Sequence, residues 1–85
     1  MSRDIENAAT QFGQVWYVDG PDGDCLALAG DSEAATEIYR DCVGDGPIER
    51  CELAHEGIVR WWLDVNHIDY GDENIFTVAA NNLEN

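Results

Sequence analysis

Eighty-five residues and 9.4 kDa allow one domain near the small end of what folds alone, yet 45% hydrophobic residues with three Trp, three Tyr and two Phe supply a packed core and exclude a disordered coil. Eighteen Asp and Glu stand against four Arg, with no Lys, for a net charge of −14, which argues against direct nucleic-acid binding and against attraction to an anionic membrane, since both need clustered cations. No apolar run approaches the roughly 18 residues of a spanning helix; the longest, Ile58 to Val65, is broken by Arg60 and Asp64.

Residues 1–13 place Ile5, Ala8, Ala9 and Phe12 at helical spacing and read as an N-terminal arm or short helix ahead of a single α+β domain over residues 14–80. Met-Ser-Arg-Asp-Ile-Glu carries acids where a secretory leader needs a basic and then an apolar stretch, so a cytoplasmic location is expected. Gln14 to Asp19 is β-branched and aromatic, Gly20-Pro21-Asp22-Gly23 has turn residues in turn positions, and Cys25 to Ala29 resumes an extended pattern. A hairpin over this loop pairs Val18 with Cys25, Tyr17 with Leu26, Trp16 with Ala27 and Val15 with Leu28, and both of its faces are apolar.

Gly30-Asp31-Ser32-Glu33 is a helix start, with Asp31 or Ser32 as N-cap and Glu33 against the dipole. Ala35, Ile38, Tyr39 and Cys42 then form the inward stripe, and Gly44 ends the helix. Ile48 to Val65 reads as a second hairpin around His55-Glu56-Gly57. A three-residue loop there sorts Leu53, Val59, Cys51, Trp61, Leu63 and Val65 to the core side, leaving a Glu52–Arg60 ion pair and an Arg50–Trp62 cation–π contact outside. After a polar loop, Ile75 to Ala79 reads as a last strand and residues 81–85 as a frayed tail. The expected order is β-β-α-β-β-β: an antiparallel sheet of about five strands with the main helix on one face.

Few constellations point to chemistry. Cys51-x-x-x-His55 is the nearest pair for zinc but lacks the tight double pairing of a structural site. Asp19, Asp22 and Asp24 crowd one turn, yet lack the spacing and closing Glu of a calcium loop. No nucleophile–base relation and no phosphate loop is visible, so the chain reads as a non-enzyme without a cofactor. Three Cys at wide spacing suit reduced thiols better than a disulfide framework.

Two resemblances are visible. The absence of Lys, the abundance of Asp and Glu, and Ala, Gly and Val in place of bulkier apolar residues resemble haloarchaeal proteins and those of haloarchaeal viruses; that implies a chain needing monovalent salt to screen its own repulsion. The run Pro21-Asp22-Gly23-Asp24-Cys25, a strand, then Gly30-Asp31-Ser32-Glu33-Ala34 is similar to a motif of HicB-type antitoxins over about residues 14–43. That similarity implies a strand, turn, strand and helix, and an acidic surface that sequesters a toxin.

A helix on one sheet face leaves Trp16, Val18, Arg50, Ile58 and Trp62 on the other, and clustered exposed aromatics mark an interface. The expected function is a small acidic, salt-adapted protein–protein interaction module, self-associating as a homo-oligomer through that sheet face. The alternatives are a HicB-like antitoxin or other acidic inhibitor, a small zinc- or calcium-binding protein, an acidic nucleic-acid mimic, or a virion component.

Overall fold

The computed structural model describes Asn7 and residues 13–83. In chain order the elements are β1 (Gln14–Gly20), β2 (Gly23–Ala29), α1 (Ser32–Cys42), β3 (Arg50–Leu53), α2 (Glu56–Val65) and α3 (Ile75–Leu83). The fold is α+β, built on a three-stranded antiparallel sheet in the order β2-β1-β3.

The first hairpin has the expected register, Val15 facing Leu28 and Val18 facing Cys25. Gly20 and Gly23 close the ladder, so Pro21 and Asp22 alone make the turn. Residue 20 has no room for a side chain: a Cβ there would lie 2.3 Å from the Pro47 carbonyl oxygen and 2.7 Å from the Tyr39 hydroxyl. The first helix also matches its sequence signals. Asp31 is the N-cap, its Oδ1 accepting the Ala34 N–H at 2.8 Å, and Ala35 and Tyr39 turn inward and are fully buried.

The second hairpin is not formed. Residues 50–53 do make a strand, but it pairs with β1, Trp16 facing Leu53 and Val18 facing Cys51, and the chain beyond it coils into α2. Ile58, Val59, Trp62 and Leu63 recur at i, i+1, i+4 and i+5, a helical stripe that two-residue alternation obscured. His55 starts this helix, its Nδ1 accepting the Ile58 N–H at 3.4 Å. The pairs built on the hairpin are replaced accordingly. Arg50 lies 4.0 Å from Glu52, and Arg60 lies 3.5 Å from Glu56, one helical turn away, and 5.8 Å from the Tyr70 ring centre.

The expected last strand is likewise helical. Asn74 Oδ1 accepts from the Phe76 N–H at 2.9 Å and the Thr77 N–H at 3.4 Å, and this side-chain cap overrides the β-branched composition that follows. Ile75, Phe76, Val78, Ala79 and Ala80 are buried. Residues 81–83, expected to fray, continue α3, and Asn82 Nδ2 donates to the Val78 carbonyl at 2.9 Å. Of the N-terminal segment only Asn7 and Gly13 are described; the expected arm or helix otherwise lies outside the described residues. Asn7 is bound to the sheet, Nδ2 donating to the carbonyls of Val15 (2.7 Å) and Ala54 (3.2 Å) and Oδ1 accepting the Val15 N–H (3.0 Å).

The core lies on both sides of the sheet. Val18, Ala27 and Ala29 pack with Ala35 and Tyr39 of α1 on one side. Val15 and Leu26 pack with Val59, Leu63, Ile75 and Ala79 of α2 and α3 on the other. A sheet that is apolar on both faces requires helices on both faces, and the C-terminal third of the chain supplies the second layer.

Candidate functional site

The most prominent surface feature comes from α2 being apolar over more of its circumference than the core uses. At about 100° per residue, Leu63, Val59, Trp62, Ile58, Val65 and Trp61 span an arc of about 200°, wider than the ~100° stripe that buries a surface helix. Val59 and Leu63 point into the core and are fully buried, whereas Trp61 and Val65, one turn apart at the far edge of the arc, are 53% and 51% exposed. Between this edge and the β1–β2 hairpin runs a groove of about 200 Å³, floored by Leu26 and Tyr17 and walled by Trp61, Trp62, Val65 and Leu83. A second hollow of about 270 Å³ continues it past Trp61 toward His55 and Gly57.

The groove is apolar along its length and acidic at one place. Asp24 lines both hollows and faces Asp19 across the ladder, so two carboxylates stand side by side on the groove face of the sheet. The Tyr17 hydroxyl donates to Asp24 Oδ2 at 3.0 Å. Burial, this hydrogen bond and the charges of Asp24 and Asp19 push the Tyr17 phenol up to about 12. Arg50 faces Asp19 from β3, but its ion pair runs to Glu52. Arg60 lies on the opposite flank of α2, engaged by Glu56 and Tyr70, which together raise its pKa.

The residues expected to share one interface are divided by the sheet. Trp16 and Val18 belong to the layer under α1, Val18 without exposed surface. Ile58 and Trp62 pack partly buried on α2 on the other side, and Arg50 is exposed on β3. The expected positions of the two neighbouring tryptophans are reversed: Trp61 is the exposed one and Trp62 packs against the core. Their roles were hidden by the strand reading. As a helix, the segment puts Trp61 and Val65 at i and i+4 on the flank of the buried stripe, and that spacing is the signal for the groove wall.

The weak metal candidates do not converge. Cys51 faces α1, its Sγ 3.6 Å from the Ser32 carbonyl, whereas His55 caps α2 beyond the end of β3. Among the described residues, no three of His, Cys, Asp or Glu, including Asp19, Asp22 and Asp24, are grouped to hold a metal ion. Cys25, Cys42 and Cys51 are free thiols, and burial first, then the nearby Cys42, Asp24 and Cys51, push Cys25 up to about 11, which suppresses its thiolate.

Among the described residues, no helix is long and apolar enough to cross a membrane. No protein-family model, curated protein or solved structure matches the chain.

Proposed function

We propose that the protein is a small, non-catalytic protein–protein interaction module of a salt-rich cytoplasm, and that its contact surface is the α2 groove. The observation that carries the reading is the pair Trp61 and Val65, each about half exposed on one helical flank and walling an apolar groove. An aromatic anchor beside an apolar hollow is the form that interface hot spots take. Both sheet faces are covered by helices, so a contact through a sheet face, as the sequence suggested, gives way to one through α2. Salt adaptation rests on charge: among the described residues no charged side chain is buried and two ion pairs are formed, against a net charge of −14.

A photo-crosslinking side chain at position 61, compared with one at the exposed Glu37 position on α1, tests the surface. Protein adducts in molar KCl at position 61 and not at 37, with light scattering to show whether the adduct is a second copy, are expected. Equal labelling at both positions, or none at 61, would overturn the reading.

A further inference from the structure

We infer that the groove takes a basic amphipathic segment of a partner protein, an Arg or Lys of that segment settling on Asp24, beside Asp19, while its apolar residues lie against Trp61 and Val65. This rests on the interaction reading above and adds the chemistry of the partner. The floor and the mouth of the groove make complementary demands. Leu26, Trp62, Val65 and Leu83 line its apolar end, which asks for aliphatic or aromatic side chains. Where Tyr17 and Trp61 meet the hairpin, the carboxylates of Asp24 and Asp19 face each other in register, with Arg50 beside Asp19 on its far side, so Asp24 is the carboxylate left toward the groove for a further cation.

Asp24 accepts one hydrogen bond from Tyr17 at 3.0 Å, and a carboxylate has about four lone-pair sites, so acceptor capacity remains for a guanidinium or ammonium. Trp61 and Tyr17 line the same hollow as Asp24 and put aromatic rings within reach of that group. Of the described arginines, Arg60 is engaged by Glu56 and Tyr70, and Arg50, paired with Glu52, stands in register beside Asp19, on the side away from Asp24. A second copy is the poorer occupant, because with four Arg against eighteen Asp and Glu it has few cations to set against a carboxylate.

The test is titration of the full chain in about 0.5 M KCl with a twelve-residue Leu/Arg amphipathic peptide and with its twin carrying Glu for Arg, followed by calorimetry and by the Trp61 indole N–H resonance. The Arg peptide is expected to bind and shift that resonance, and the Glu twin to bind at least tenfold more weakly. Trp61→Ala should weaken the Arg peptide about tenfold, as should Asp19→Asn with Asp24→Asn. Removing the same two charges on α1, by Glu33→Gln with Glu37→Gln, should change affinity less than twofold. Equal losses in the two double variants would reduce the attraction to bulk charge and overturn the inference, as would equal binding of the twin peptides. So would a dimer occupying Trp61 that the Arg peptide fails to displace. If position 61 crosslinks to a protein while the Arg peptide does not bind, the interaction surface stands and only the basic partner falls.

Discussion

Asn7 offers a sharp test of how the described N-terminal residue is tied to the sheet. Its amide mimics a peptide group, accepting the Val15 N–H and donating to the carbonyls of Val15 and Ala54. Val15 is 1% exposed, so Asn7→Ala leaves its N–H without that acceptor, at a cost of about 1–3 kcal/mol. The Val15 carbonyl keeps the Ala54 N–H at 3.0 Å, so the two lost donations add about 1 kcal/mol together. A total of about 2–4 kcal/mol is a large part of the ~4–13 kcal/mol expected for a domain this size, and lowers Tm by roughly 10–25 °C. Asn7→Asp keeps the acceptor but turns a carboxylate on two carbonyl oxygens, which raises its pKa in the native state. Its deficit relative to the parent should therefore be largest at neutral pH, shrink as pH falls through that raised value, and be smallest below about 4, where the unfolded chain also binds the proton. Thermal unfolding by circular dichroism in 2 M KCl reads both variants. Melting of both within about 2 °C of the parent at pH 7, well below the expected shift, would refute the bridging role.

Leu63→Glu should abolish cooperative unfolding, because Leu63 is fully buried, whereas Trp61→Glu should leave a folded chain since its site is half exposed; the opposite result in urea titrations would restore a strand at 58–63. Raising KCl from 0.1 to 2 M should raise Tm by more than about 10 °C through screening of the acidic surface, and a flat profile would remove the salt argument. Burial, reinforced by nearby carboxylates, raises the pKa of Tyr39, and burial and the Asp24 hydrogen bond raise that of Tyr17 to about 12. The Cys25 thiol, raised to about 11, starts the loss of stability near pH 9; above pH 10 the unfolded chain also releases phenol protons that the native state retains, so the phenol contribution is complete below pH 10 and declines as pH climbs toward 12. Tyr39→Phe should flatten that decline, as read from Tm between pH 8 and 12.

What was legible in the sequence depended on whether a local signal was unopposed. The first hairpin could be read to the residue because turn chemistry and both strands agreed, and Asp31 announced α1. At residues 56–65, Val59, Trp61, Leu63 and Val65 alternate like a strand while Ile58, Val59, Trp62 and Leu63 recur like a helix, and the two periods share Val59 and Leu63. Tertiary context chose between them: Val15 and Leu26 on β1 and β2 needed a second layer, and helices supplied it. Ile75 to Val78 carries strand-forming residues, and only Asn74, a single capping side chain, marks the helix start. The groove was illegible for the same reason, since its wall exists only when Trp61 and Val65 stand one helical turn apart.

The sheet's two sides are completed at different times along the chain. Among the described residues, those of the core beneath α1 lie between Trp16 and Cys51, whereas the opposite core draws on residues from Val15 through to Leu83. The β1–β2 hairpin closes over two residues and α1 follows at once, contacts of low sequence separation that form early. A nascent chain that has reached β3 therefore holds one finished core and one bare face, with Val15, Tyr17, Leu26 and Leu28 waiting for α2 and α3. Until α3 leaves the ribosome that face is the sticky surface of the molecule, and strong salt would sharpen this hazard by strengthening apolar association.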